Sequence, residues 1–430
     1  MMRNWSTLRG KDGAVVGAAL LCTCISSGVQ AVWIPEGNVQ VESHYDDNVR
    51  LTTDGGEESA IVTTTGGEMR LGNVTERSEV TAILGGSLVS YTAYDGFEDL
   101  HNEDVEYADI RSSWRGTRAR WGMDGSVRRD VLLETVGDIG NPLGTASGTA
   151  GGQSTTRGSE SGRVVPGNGD PSVGIDSGST EEQVRRVRTW VSPFLGYQLS
   201  EKTGVQLGYT YLGLDYDKQT TTGLEDSKSN GVSLDVWNQV SERDTARFGV
   251  RAVRFDPSEA PESTDAYEMT VGWDRRLSER LRISLDVGGQ RSERDSDSYS
   301  GYLARFNLFR RTDTGAMRVR FEHSLEPSGY GDLVKTDTLD LNYEFGVSDR
   351  LGFGLNGNAY RVRNSSNQIS DQNNDRDYVE IGPDVRYALT TSVHVGAFYK
   401  YRWVDRQDEG SGSSNAVGIQ VSYQPGGRPI

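Results

Sequence analysis

The chain has 430 residues, a formal charge of −17, 34% hydrophobic residues and a mean hydropathy of −0.58. The acidic balance argues against a nucleic-acid partner, and the apolar fraction is thin for a soluble core of this size. No stretch approaches 18 apolar residues, so the pattern excludes a helical inner-membrane protein.

The first 31 residues read as an export leader. Arg3, Arg9 and Lys11 form a basic start, Ala14 to Ile25 is an apolar run too short to span a bilayer, and Val29-Gln30-Ala31 fits a small-residue cleavage site. Leu21-Cys22-Thr23-Cys24 lacks the small residues that precede a lipidated cysteine. Both cysteines lie in this leader, so residues 32–430 carry no disulfide, thiolate metal site or cysteine nucleophile. With the leader's +2 removed, the remaining chain has a charge of −19.

Beyond the leader the chain alternates apolar and polar residues. Leu281-Arg282-Ile283-Ser284-Leu285-Asp286-Val287 is one example, and Val417-Gly418-Ile419-Gln420-Val421-Ser422-Tyr423 another. A period of two means extended strands with one oily and one wet face. The pattern predicts 18 strands: 37–49, 59–72, 78–92, 104–114, 118–132, 183–199, 203–215, 229–240, 245–256, 265–277, 280–291, 298–310, 315–325, 336–346, 350–362, 377–389, 393–405 and 414–424. Pro193 and Pro383 fall inside two of them and conflict with a fully paired ladder.

Connections alternate between short and long. Ser200-Glu201-Lys202-Thr203, Ser241-Glu242-Arg243-Asp244, Ser278-Glu279-Arg280, Val347-Ser348-Asp349-Arg350 and Thr390-Thr391-Ser392 are short. The long ones are 50–58, 93–103, 133–182, 216–228, 257–264, 292–297, 326–335, 363–376 and 406–413. Short periplasmic turns, long external loops and an even strand count describe an all-β, antiparallel up-and-down transmembrane barrel in the outer membrane of a Gram-negative bacterium. Segment 133–182 is rich in Gly, Ser and Thr and reads as a flexible extracellular loop, with an inward-folded constriction as the alternative. A barrel of this strand number leaves an aqueous channel when nothing plugs it.

If the oily positions face lipid, the alternate positions line a pore. These are Arg118, Arg120, Asp124 and Arg128; Arg247 and Arg251; Arg282 and Asp286; Arg318, Arg320 and Glu322; Asp340, Asn342 and Glu344; Asn356 and Asn358; and Lys400 and Arg402. Arginines and carboxylates on neighbouring strands can pair with each other, or the guanidinium groups can contact anionic or sugar-like cargo. Tyr399, Tyr401 and Trp403, with Tyr209, Tyr211, Trp114, Trp121, Trp190 and Tyr423, suit interfacial belts.

The four histidines, His44, His101, His323 and His394, form no recognisable catalytic constellation, and no HExxH, GxSxG or phosphate-cradling glycine loop is present. The acidic stretches Asp95 to Asp104 and Asp371 to Asp377 lack EF-hand spacing and read as solvated loops. No catalytic residue, metal or cofactor is expected. Outer-membrane lipid and lipopolysaccharide are the expected surroundings.

The segment Val39-Gln40-Val41-Glu42-Ser43-His44-Tyr45-Asp46-Asp47-Asn48-Val49 resembles the opening strand of the β-barrel porin 2 family, with Tyr45, Asp47 and Asn48 as the matching positions. That family consists of outer-membrane barrels encoded with exopolysaccharide and capsule operons. The resemblance implies a passive channel for secretion of an exopolysaccharide, with polysaccharide cargo and periplasmic secretion components as partners. The other readings are a general or substrate-specific diffusion porin for small solutes, and a structural or adhesion barrel with an occluded lumen.

Overall fold

The computed structural model describes residues 33–52, 56–93, 102–132, 184–217, 224–258, 262–294, 297–328, 333–364, 375–407 and 410–425. The leader expected over 1–31 and the long loop expected over 133–182 lie outside these residues. Eighteen strands follow in chain order: β1 (Trp33–Asp46), β2 (Ala60–Val74), β3 (Ser78–Ala93), β4 (Glu103–Arg115), β5 (Ala119–Leu132), β6 (Val184–Gln198), β7 (Thr203–Tyr216), β8 (Ser227–Gln239) and β9 (Asp244–Pro257). They continue as β10 (Thr264–Ser278), β11 (Leu281–Arg294), β12 (Asp297–Arg311), β13 (Gly315–Pro327), β14 (Leu333–Gly346), β15 (Leu351–Asn364), β16 (Arg376–Ala388), β17 (Val393–Arg406) and β18 (Gly410–Tyr423).

Each strand pairs antiparallel with its chain neighbours, and β1 closes the circle on β18 from Val39↔Tyr423 to Asp46↔Ala416. The polar face of the sheet is the crowded, concave one. Gln206 is fully buried beside Leu207, which is 50% exposed, and Ser284 is 8% exposed beside Leu285 at 41%. An apolar outer band around a polar interior is what a hydrocarbon surround demands of a closed sheet. The chain is therefore an outer-membrane β-barrel.

The prolines stay within their strands and break the ladder on one side only. Pro193 registers with Met123 of β5, while the β6–β7 pairing jumps from Val191↔Tyr211 to Phe194↔Gly208. Pro383 registers with Leu355 of β15, while the β16–β17 pairing jumps from Ile381↔Tyr401 to Asp384↔Phe398. Proline lacks one amide donor, so one neighbour loses its partner and the other keeps the ladder. At the first break the Ser192 and Thr210 hydroxyls lie 3.5 Å apart across the gap.

Short turns share one device. The Ser200, Ser241, Ser348 and Thr390 hydroxyls each accept backbone N–H groups two and three residues on. This local bond fixes a tight reversal without a glycine.

Strand β1 ends at Asp46, three residues short of the predicted 49. The reason lies in the residues that follow, which leave the wall and turn into the barrel.

Candidate pore interior

The interior is built from one residue in two along each strand. Arg120, Asp124 and Arg128 (β5), Arg247 and Arg251 (β9), and Arg282 and Asp286 (β11) lie opposite the exposed apolar face of their strands. So do Arg318, Arg320 and Glu322 (β13), Asp340, Asn342 and Glu344 (β14), Asn356 and Asn358 (β15), and Lys400 and Arg402 (β17). Arg118 differs from the expectation. It sits exposed in the turn between β4 and β5, because the Gly116 N–H to Ala119 carbonyl bond (2.7 Å) closes the reversal around it.

In the middle of the bore these residues form a lattice of paired charges and amides. The Arg247 guanidinium lies 3.0 Å from Asp274 and 2.8 Å from Asp286, and donates to the Ser284 hydroxyl at 2.9 Å. Gly272 lies in register between Arg247 and Asp286. A Cβ there would fall 2.0 Å from an Asp286 carboxylate oxygen, so glycine is what allows the ion pair to cross the strand. The next rows hold Arg305–Glu322 (2.6 Å), Asn358 donating to Asp340 (2.7 Å), and Asn342 donating to Asn356 (2.6 Å). Arg120 donates to Gln206 at 2.5 Å, and Arg386 pairs with Asp384 at 2.8 Å. Nearer the periplasmic end, Arg282, Arg318 and Arg320 make no ion pair among the described residues.

The extracellular end is different, and here the uniformly polar lumen expected from alternation needs correcting. Inward positions near the external strand ends are apolar and buried. Val62 and Val89 pack with Ala60 and Val49, Val184 with Leu214, Tyr216 and Leu224, and Val404 and Tyr378 with Leu51. Val49 and Leu51 come from the first loop, which lies against the inner wall and fills part of the bore. Two clusters flank the β1–β18 closure and the third lies at β6–β7.

A buried polar latch holds that loop. Asp46 accepts hydrogen bonds from the Arg402 guanidinium and from the Ser414 hydroxyl (2.6 Å), and Arg402 also donates to Ser414 (3.0 Å). The ion-paired side chains of Arg402 and Asp46 are only 4% and 3% exposed. Asp46 also accepts the Asn48 N–H (3.0 Å), which starts the turn. Asp47 accepts the backbone N–H (2.6 Å) and side-chain amide (2.9 Å) of Asn415. The Asn48 side chain donates to the carbonyls of Thr52 (3.0 Å) and Ser413 (3.1 Å) and accepts from the Thr52 N–H (3.1 Å). Leu51 adopts a left-handed backbone (φ 49°) that non-glycine residues avoid. Of the three resemblance positions, Asp47 and Asn48 belong to this latch, and Tyr45 points outward.

Two further placements bear on function. Trp190 registers with Ser126 and Leu212 on the lumen face, not in a membrane belt. His323 stacks on Tyr302 (ring centroids 4.0 Å) and bonds Asp337 (2.7 Å) on the outer face, but makes no hydrogen bond to a hydroxyl among the described residues. The latch was missed because its signal is a local lapse in alternation. Ile61-Val62, Leu88-Val89 and Trp403-Val404 put apolar side chains on both faces at once.

No family model and no curated protein matches the chain. The resemblance of residues 39–49 therefore stands on that segment alone. Among solved structures the chain is similar to OccK7 (OpdD) of Pseudomonas aeruginosa, with 10% identity, coverage of 91% of this chain and 98% of that one, and a TM-score of 0.44. It is similar to the outer membrane channel DcaP of Acinetobacter baumannii, with 12% identity, 92% and 97% coverage, and a TM-score of 0.44. An anion-selective porin from Comamonas acidovorans gives 12% identity, 92% and 100% coverage, and a TM-score of 0.39. These neighbours are outer-membrane porins, and the likeness goes no further than the barrel.

Proposed function

We propose that this chain is a passive diffusion channel for small hydrophilic solutes. The observation that carries this reading is the first loop, latched inward by Asp46, Arg402 and Asn48 over a polar bore. A stretch of buried apolar side chains at the external end takes up cross-section that a polysaccharide chain would need. The middle of the bore offers paired arginines, carboxylates and amides, which give a small polar solute repeated weak contacts and let it leave again. Export of an exopolysaccharide, the reading implied by the resemblance at residues 39–49, calls for a wider and evenly polar path.

Reconstitution into planar bilayers and liposomes tests this. The expected result is a defined single-channel conductance, with monosaccharides and disaccharides entering liposomes and polymeric dextrans excluded. Loss of the gene should leave secreted polysaccharide unchanged. Zero conductance would favour an occluded structural barrel, and periplasmic accumulation of polysaccharide in the deletion strain would restore the export reading.

A further inference from the structure

Two departures from the rest of the bore coincide near its periplasmic end. The first is an open aromatic ring. Away from the strand ends, the apolar side chains of the lumen face are buried or half-buried. Phe309 on β12 is the exception: it has the inward parity of Asn307 and Arg305, and it is 40% exposed. Among the exposed large apolar residues of the described strands, only Ile34 and Val74 share that inward parity, and both lie at periplasmic strand ends.

The second is unpaired charge. Deeper in the bore Arg247 and Arg305 each sit against carboxylates. Around Phe309 that pairing stops. Arg282 on β11 and Arg318 on β13 are its neighbours in register, and Arg276 extends the row on β10. One inward position further up, Asn307 registers with Arg320. Inward side chains in register on neighbouring strands stand about 5 Å apart at Cβ. The Arg318 guanidinium carbon lies 5.9 Å from the Phe309 ring centroid, within cation–π reach. None of Arg276, Arg282, Arg318 and Arg320 makes an ion pair among the described residues. Asp340, in register with Arg320, accepts from Asn358 at 2.7 Å instead, and Glu344 borders the row on β14. Guanidinium groups therefore outnumber carboxylates around the ring.

We propose that this row is a binding station for small amphipathic anions, an aromatic ring bearing a carboxylate. The inference rests on the diffusion-channel reading and names the solute class that the bore holds longest. A lone guanidinium in an aqueous bore gains little from a carboxylate, because water screens both. A phenyl face beside it excludes part of that water. The ionic contact strengthens, while the solute's own ring covers Phe309. Arg282 and Arg318 flank the ring, so a carboxylate is met by a guanidinium fork from either side. The other parts of the bore suit such a solute less well. The Arg247 guanidinium is committed to Asp274 and Asp286, and the apolar external wall is already covered by Val49 and Leu51. The row stays open to water, so the solute can leave again.

The test uses the full chain in nanodiscs, with binding read by saturation-transfer NMR against empty nanodiscs. The probes are phenylacetate, acetate and 2-phenylethanol, which carry ring and charge together, charge alone and ring alone. The expected result is at least tenfold tighter binding of phenylacetate than of either partial probe. Phe309→Ala should lower phenylacetate binding to the acetate level, and Arg282→Gln with Arg318→Gln should lower it to the 2-phenylethanol level. Phe309→Tyr keeps a ring and should keep the preference. So should Arg70→Gln, which removes a lumen-facing arginine from β2 on the opposite wall. Heat-modifiable migration shows that each variant has folded. No preference for phenylacetate, a preference that survives both Phe309→Ala and the double arginine variant, or an equal loss in Arg70→Gln would each overturn the inference. Phenylacetate binding at Phe309 in a barrel without conductance would remove the channel reading and leave the station standing, and conductance without that binding would do the reverse.

Discussion

The external end and the middle of the bore solve the same packing problem in opposite ways. In the middle, inward residues are polar and set opposite charges beside one another across neighbouring strands, as in the Arg247–Asp274–Asp286 group. At the external end, inward residues are apolar and are covered by the chain itself, with Leu51 and Val49 from the first loop laid over Val404, Tyr378, Val62 and Val89. The first arrangement keeps water against the wall and the second expels it. On the proposed channel reading, the covered external end is where width would be set, and the charge-paired middle is where a solute would meet charge.

The sharpest way to break this contrast is to remove the latch. Asp46→Ala takes away the carboxylate that the buried Arg402 donates to. Removing one partner of a buried ion pair costs about 3–5 kcal/mol. The expected outcome is a lower urea midpoint in lipid vesicles together with a larger single-channel conductance, because the 48–52 segment is no longer held down. A native midpoint with native conductance would show that the latch does not set the width.

Leu51 gives a finer comparison. Leu51→Ala deletes a fully buried side chain and should cost about 2–4 kcal/mol. Leu51→Gly loses the same packing but relieves the left-handed backbone, so it should be less destabilising than the alanine variant by about 1 kcal/mol. Equal midpoints for the two would mean that φ at this position carries no strain. In the middle of the bore, Gly272→Val forces Asp286 away from Arg247 and should cost about 1–3 kcal/mol. It should shift ion selectivity, read as the reversal potential in a salt gradient, without the conductance gain expected of Asp46→Ala. An unchanged reversal potential would remove the lattice from the selectivity argument.

The barrel itself was legible in the sequence because membrane strands obey one rule along their length. Alternation fixes which face meets lipid, and the serine and threonine turns punctuate it, so all 18 strands fall within a few residues of their predicted bounds. The same parity puts the expected pore residues opposite the exposed apolar face, apart from Arg118, which the reversal at 116–118 keeps in the turn. The latch was not legible. Asp46 and Arg402 are 356 residues apart, and their contact exists only because β1 closes on β18. Periodicity reports the face of a residue, not its partner across a closure. The inward fold of the first loop was hidden for a related reason: Val49 and Leu51 look like loop residues until the apolar wall they cover is assembled.

The smallest expected effect tests whether the periplasmic turns stand outside this contrast. In the turn between β9 and its predecessor, the Ser241 hydroxyl accepts the N–H groups of Arg243 (3.1 Å) and Asp244 (3.0 Å) and donates to the Asp244 carboxylate (2.7 Å). Ser241→Ala removes all three bonds, but the turn is exposed and water can take the serine's place, so the net loss should be about 0.5–1.5 kcal/mol. Conductance and reversal potential should both remain native, since no part of the bore depends on this hydroxyl. The variant therefore separates stability from transport: a midpoint shift with native currents places the turns purely in the scaffold. A change in current from so distant a position would mean that the wall moves as one body and that width is not set at the external end alone.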